Sequence, residues 1–313
     1  MKKTAGIHHI TAIVGHPQEN LDFYAEVLGL RFVKKTVNFD DPGTYHFYFG
    51  DDKGNPGTII TFFPWLGGKK GVIGDGQVGV TSYAVPQGAL AFWEKRLTSY
   101  DINVKRSARF GETYLSFHDP HGLALELVER RSGTETNWHP NGITKDVAIK
   151  GFAGATLYST QPDKTIQFLK DVLGLKEVGT EKTIARLTTD AAIGNVTDVK
   201  LSTNNLGESG VGTVHHIAWR ADDEADQLEW RNIVKDEQIP VTSVRDRNYF
   251  TSIYFKEYGD ILFEIATDSP GFLVDEPYES LGTDLKLPKQ YEKDRVAFEK
   301  ILLPIQNNFQ GGD

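Results

Sequence analysis

The sequence predicts an α+β fold built from four successive βαβββ modules. Three observations carry that prediction. One plan of strand, helix and glycine stop occurs at 6–36 and again at 151–178. Two further stretches, 78–129 and 212–267, repeat the order of elements with less identity. The composition is that of an ordinary globular chain: 313 residues, 39% hydrophobic and 25% charged, enough for a large buried core.

The first module opens on Ile7-His8-His9-Ile10-Thr11-Ala12-Ile13, an extended run. A helix follows, because Leu21, Tyr24, Val27 and Leu28 fall on one face at helical spacing. Gly29 then stands where a helix ends in a left-handed cap. The third module matches it. Phe152 to Tyr158 reads as a strand, Lys164 to Val172 as a helix with Ile166, Leu169, Val172 and Leu173 on its face, and Gly174 as its stop. Both copies end in Val-Leu-Gly-Leu, as Asp22–Leu30 and Thr165–Leu175 show.

The second module begins with a strand over Val78 to Val85 and a helix over Leu90 to Leu97. It closes with Tyr114-Leu115-Ser116-Phe117, a turn at Asp119-Pro120-His121-Gly122, and a strand over Leu123 to Val128. The fourth places a strand over Val214 to Trp219, a helix near Ala225 to Val234, and a closing hairpin from Ser252 to Ala266 around Gly259. The expected organisation is therefore two modules in 1–135, a polar linker at 136–149, two modules in 150–270, and a tail at 271–313 that packs on the core. Within the tail, Tyr291 to Leu303 reads as an amphipathic cover.

Composition narrows the chemistry. The net charge is −9 and no Lys/Arg cluster is present, which argues against a nucleic-acid partner. The chain has no cysteine, so thiolate metal sites, disulfides and cysteine nucleophiles are excluded. No apolar run reaches the ~18 residues of a membrane span, and no signal core follows Lys2-Lys3; a cytoplasmic protein is expected. Gly67-Gly68-Lys69-Lys70-Gly71 lacks the spacing of a phosphate loop.

The chemical signal is a pair of histidine doublets. His8-His9 and His215-His216 occupy the same place, the first strand of a module, each followed by Ile and a small residue. Adjacent residues of a strand face opposite ways, so one histidine of each pair can enter an interior. Glu264 lies in the apolar run Ile261-Leu262-Phe263-Glu264-Ile265, where an unpaired carboxylate would be costly. An arginine or lysine partner would satisfy it; so would a metal shared with the doublets. Two imidazoles and one carboxylate form the facial triad of non-haem iron(II) oxygenases, and the same donors suit manganese or zinc.

With these residues in view, the chain resembles the vicinal oxygen chelate (glyoxalase/extradiol dioxygenase) superfamily. Within it, the chain is similar to the hydroquinone-type ring-cleaving dioxygenases, which act on 1,4-diols. The resemblance rests on Gly6-Ile7-His8-His9-Ile10-Thr11, Tyr45-His46-Phe47-Tyr48-Phe49, Asn55-Pro56-Gly57-Thr58, Phe110-Gly111-Glu112-Thr113-Tyr114, Arg247-Asn248-Tyr249-Phe250 and Asp268-Ser269-Pro270-Gly271-Phe272. It implies Fe(II) held by His9, His216 and Glu264, catalytic roles for His8, Arg247 and Tyr254, and an aromatic substrate with dioxygen. A homo-oligomer is compatible with it. Because the implied ligands come from the first and fourth modules, those two must share one open barrel, and the second and third the other.

The same comparison of modules sets Phe62 against Glu264 in the first module, which removes the fourth protein ligand of a glyoxalase-type site. No histidine takes the doublet position in the second or third module, so Glu126 has no co-ligands and the second barrel is expected to hold no metal. Two rival functions remain on the sequence: a metal-dependent lyase or isomerase on the same fold, and a non-catalytic protein that binds an aromatic compound. Phe62, Phe63 and Trp219 could line a ring pocket or be plain core.

Overall fold

The structure, a computed structural model, describes residues 2–308. Its element order is four repeats of one pattern. The first module is β1 (Ile7–Val14), α1 (Pro17–Leu21), β2 (Arg31–Val37), β3 (Tyr45–Gly50) and β4 (Ile59–Pro64). The second is β5 (Gln77–Val85), α2 (Leu90–Ser99), β6 (Lys105–Arg109), β7 (Glu112–His118) and β8 (Ala124–Glu129). The third is β9 (Gly151–Tyr158), α3 (Pro162–Asp171), β10 (Lys176–Glu181), β11 (Ile184–Thr188) and β12 (Val196–Lys200). The fourth is β13 (Thr213–Ala221), α4 (Glu224–Asp236), β14 (Arg245–Asp246), β15 (Phe250–Lys256) and β16 (Leu262–Pro270).

The strands form two eight-stranded curled sheets. One runs β14-β15-β16-β13-β1-β4-β3-β2 and so joins the fourth module to the first. The other runs β10-β11-β12-β9-β5-β8-β7-β6 and joins the third to the second. This is the expected pairing of modules. We call the first sheet barrel one and the second barrel two. In each, the seam is an antiparallel pair of opening strands, β1 with β13 and β5 with β9.

The helices behave as their apolar spacing dictates, with one departure. After α1 the chain winds as a π-helix over Asp22–Val27, and the Leu28 amide donates to the Phe23 carbonyl at 3.0 Å. Leu21, Phe23, Tyr24, Ala25, Val27 and Leu28 are all buried there, a wider set than one α-helical stripe presents. Gly29 and Gly174 close their helices with φ of +68° and +74°, the left-handed conformation expected of them.

The segment after β16 wraps barrel one. Phe272 and Leu281 are buried in a cluster with Tyr48, Tyr249 and Phe250. Lys34, its side chain fully buried, pairs with Asp275 at 2.5 Å and with Glu276. Further on lie a 3₁₀ turn over Lys289–Asp294 and α5 (Arg295–Ile301), with Tyr291 and Phe298 partly buried against the core. Among the described residues, no helix is long and apolar enough to cross a membrane.

Candidate metal centre

The seam of barrel one brings the two doublets together. On this seam Thr11 pairs with His216 and His9 with Ala218. The ladder slips between Ile7 and His9 and again between Thr11 and Ala12, leaving His8 on one strand and His215 on the other without a partner. Two symmetric bulges of this kind re-aim side chains at a sheet position. Strand β16 lies parallel to β13, with Glu264 opposite Ala218. Three neighbouring strands thus deliver His9, His216 and Glu264 to one point.

The donor atoms converge closely. The His216 Nε2 lies 2.8 Å and the His9 Nε2 3.3 Å from Glu264 Oε2, and the two Nε2 atoms are 3.3 Å apart. Ligands set at right angles, each ~2.1 Å from one ion, stand about 3 Å apart. Ser252 Oγ donates to the other carboxylate oxygen, Oε1, while Oε2 is fully buried and receives no well-aligned hydrogen bond. A buried acceptor left in that state is the kind of defect a cation repairs. Burial works to raise the Glu264 carboxyl, but the charges of His9 and His216 beside it prevail and hold it well below the usual range. Among the described residues this is the group of three donors able to hold a metal ion.

The outer hydrogen bonds fix the tautomer. His8 Nε2 lies 3.1 Å from the Thr267 carbonyl, which only accepts, so the proton of neutral His8 is on Nε2. Burial, and the neighbouring His9, keep His8 well below its usual pKa and therefore neutral. Its Nδ1 then accepts from His9 Nδ1 at 2.9 Å, which leaves the His9 Nε2 lone pair free for a metal. His215 Nδ1 stands in the same relation to His216 Nδ1 at 2.7 Å.

A cavity of about 410 Å³ opens onto His9 and His216. Arg247 and Tyr254 line it, and the Arg247 Nε donates to the Tyr254 hydroxyl at 3.2 Å while its other end reaches Asp40 at 3.1 Å. Burial raises the Tyr254 hydroxyl above its usual pKa. His8 does not line this cavity; it touches the site only through His9, and its outer face borders a smaller cavity of about 170 Å³ with Phe250. Of the aromatic residues weighed from the sequence, Phe63 lines the cavity, whereas Phe62 and Trp219 are fully buried core.

Sequence reasoning missed a second group. Thr11, His46 and Tyr48 line the cavity as a continuous chain: Thr11 Oγ1 to Thr61 Oγ1 at 2.7 Å, Thr61 Oγ1 to His46 Nε2 at 2.9 Å, and His46 Nδ1 to the Tyr48 hydroxyl at 2.9 Å. The signal was present in Tyr45-His46-Phe47-Tyr48-Phe49, where alternation puts His46 and Tyr48 on one face and Phe47 and Phe49 in the core. The ladder also corrects the position matched to Glu264. Thr11, two residues past His9, pairs with Thr61, just as Ala218, two past His216, pairs with Glu264. Thr61, not Phe62, stands at the fourth position; aligning by sequence alone slipped one residue, which in a strand exchanges the faces.

The same registers locate the counterpart in barrel two. Ser82 pairs with Glu126 and Thr156 with Asp198, so Glu126 matches Glu264 and Asp198 matches Thr61. Val80 and Gly154 then stand where His216 and His9 stand. Arg109, which matches Arg247, binds Glu126 at 2.7 Å and Asp198 at 2.9 Å. Arg186 binds Asp198 at 2.7 Å and Glu112 at 2.7 Å. Guanidinium groups, rather than imidazoles, fill this interior.

Duplicated βαβββ modules, a shared seam and a His-His-Glu convergence point to a known class of protein. The chain belongs to the glyoxalase/bleomycin resistance protein/dioxygenase superfamily, whose family model matches residues 6–127 and 151–274. It is 61% identical to MhqO of Bacillus subtilis (strain 168), provisionally named a ring-cleaving dioxygenase, over 97% of this chain and 98% of that one. It is 34% identical to the chlorohydroquinone/hydroquinone 1,2-dioxygenase of Sphingobium indicum, over 93% and 94% of the two chains. A crystal structure of a provisionally named dioxygenase from Bacillus subtilis superposes with a TM-score of 0.97 at 61% identity, covering 98% of this chain and 99% of that one. Glyoxalase I from Zea mays shares the fold, with a TM-score of 0.63 at 15% identity over 84% and 92% of the chains.

Proposed function

We propose that the chain is an iron(II)-dependent dioxygenase that cleaves the ring of hydroquinone-type (1,4-diol) aromatics, with His9, His216 and Glu264 as metal ligands. The observation that carries this reading is the convergence of two Nε2 atoms and one buried, unsatisfied carboxylate oxygen within 2.8–3.3 Å. Full-length similarity to a protein named as a hydroquinone 1,2-dioxygenase supports the substrate class.

Bound iron(II) would supply a site where a phenolate oxygen and dioxygen meet and exchange electrons. The chain's own residues do the rest. His8 holds the His9 ring and its tautomer through the bond to Nδ1. Arg247 presents a fixed positive charge to anionic oxygen in the cavity. The Tyr254 hydroxyl, bonded to Arg247, can hold or pass a proton at the ring oxygen. Phe39, Phe63 and Phe250 line the walls that an aromatic ring would meet. Thr61 at the fourth position disfavours a four-ligand lyase site, and the unsatisfied buried carboxylate oxygen disfavours a metal-free binding protein.

For the organisation of the chain we propose sequential halves at 1–135 and 150–270, joined by 136–149, with the tail from 271 packed on the core; its last residues, 309–313, lie outside the described residues. Support comes from the absence of helix or strand between β8 and β9 and the burial of Phe272 and Leu281. We propose a cytoplasmic setting, as expected from the sequence.

The test is oxygen consumption. Anaerobically purified protein loaded with iron(II) is expected to take up dioxygen when given hydroquinone, with loss of the aromatic absorbance. No uptake with iron, manganese or zinc would overturn the proposal.

A further inference from the structure

Arg245, in strand β14, and Arg247, just past its end, present two guanidinium groups to the same cavity. The Arg247 amide donates to the Phe250 carbonyl at 3.0 Å and keeps the chain beside β15, and both side chains line the cavity. Their circumstances differ. Arg247 is bonded to the Tyr254 hydroxyl and to Asp40. Arg245, exposed at the mouth, has no hydrogen bond or ion pair among the described residues. Asp246 between them faces away and caps the Asn248 amide at 2.7 Å, and Asp40, the carboxylate among the lining residues, is already held by Arg247.

Barrel two shows that the fold does not need a cation there. Arg245 pairs with Ser252 as Ser107 pairs with Tyr114, so a serine occupies the matching place. Arg109, which matches Arg247, and Arg186, which stands at the place of Tyr48, each hold two carboxylates. An unpaired guanidinium at the cavity mouth is therefore particular to barrel one, in a chain whose net charge is −9.

We propose that Arg245 is a specificity residue that selects hydroquinone-type rings carrying an anionic substituent, such as a carboxylate. The proposal rests on the reading of the cavity as a diol site. A phenolic hydroxyl ionises near pH 10, so a plain diol offers Arg245 no negative charge at neutral pH. A carboxylate does, and the planar guanidinium fork matches it in shape as well as charge. With one ring oxygen directed to the His9–His216–Glu264 centre, a ring substituent pointing to the mouth meets Arg245. The pair is partly exposed, so the effect is moderate and weakens with salt as the Debye length falls from ~10 Å at 0.1 M to ~3 Å at 1 M.

The experiment compares dissociation constants for hydroquinone and 2,5-dihydroxybenzenesulfonate, an anionic diol whose sulfonate is a poor metal ligand. Both are titrated anaerobically into metal-loaded protein by quenching of intrinsic fluorescence. Wild type is expected to bind the sulfonate about tenfold more tightly than hydroquinone at low salt, and less selectively at 1 M salt. Arg245→Lys should keep most of the ratio, Arg245→Met should erase it, and Arg245→Glu should invert it. No preference in wild type, or one that survives in the Met and Glu variants, overturns the proposal. Oxygen uptake is measured in parallel. If hydroquinone binds but no oxygen is consumed, the dioxygenase reading fails while the binding ratios still decide the role of Arg245.

Discussion

Barrels one and two are built from the same modules and carry the same last-strand carboxylate, yet they satisfy it differently. In barrel one Glu264 faces His9 and His216, and its Oε2 has no aligned donor. In barrel two Glu126 faces Arg109, Ser82 and Ser116, and each oxygen is bonded. A charge inside a barrel must be balanced. Barrel two balances it with permanent guanidinium groups. Barrel one places two imidazoles there beside an open cavity, the arrangement proposed above to hold a metal. The difference comes down to residues at matched positions: His9 against Gly154, His216 against Val80, and Thr61 against Asp198.

The sharpest way to break this contrast is to remove one of the proposed metal ligands from barrel one. His216→Ala should reduce bound iron to background and abolish oxygen uptake, a larger loss than the ~10–100-fold typical of outer-shell changes. Metal analysis beside the wild type checks it, and equal iron in both proteins would remove the site assignment.

Removing the cation from barrel two should act on stability instead. Arg109→Met leaves Glu126 and Asp198 with less compensation in an interior where their side chains are 10% and 2% exposed. The expected cost is about 3 kcal/mol in urea unfolding, with more than half recovered in Arg109→Met/Glu126→Gln. A variant as stable as wild type would mean that Arg186 alone suffices.

Two hydroxyl deletions, one in each barrel, separate the barrels further. Tyr254→Phe breaks the bond to Arg247 in barrel one and should lower kcat about tenfold with metal content unchanged. Tyr114→Phe breaks the bonds to Arg186 and Glu112 in barrel two and should cost about 1 kcal/mol of stability, read from the urea midpoint. If Tyr114→Phe lowered turnover as much as Tyr254→Phe, the division of labour between barrels would fail.

The smallest effect is expected from the relay beside the ligands. Thr61→Val interrupts the chain from Thr11 to His46 and should lower kcat/KM about threefold without loss of iron. An effect as large as that of Tyr254→Phe would make the relay part of the chemistry.

Much of this was legible in the chain. Residues with period-2 and helical spacing gave every module its order of elements, because one face of each strand or helix must be apolar to be buried. Repetition of the His-His doublet, with one acid in an apolar strand, pointed to the centre because such groups are costly to bury without a partner. Other features depended on register. Whether Thr61 or Phe62 stands opposite Thr11 turns on a single residue of slip, which the alternation of side chains alone cannot resolve. The π-helical turn at Asp22–Val27, the bulges at His8 and His215, and the direction in which His8 points are set by neighbouring strands.

What the sequence by itself determined is the inventory: four modules, two doublets, an acid in the apolar last strand beside them, and no cysteine to compete for a metal. Local pattern suffices for these because burial and charge act residue by residue. Only the tertiary structure decided which barrel would be polar by ion pairs and which by imidazole, where Arg245 and Arg247 face, and that His46 and Tyr48 belong to the cavity. Those are outcomes of strand register across segments some 200 residues apart, as with His9 and His216, and register is fixed by the closure of the whole sheet rather than by any one stretch of chain.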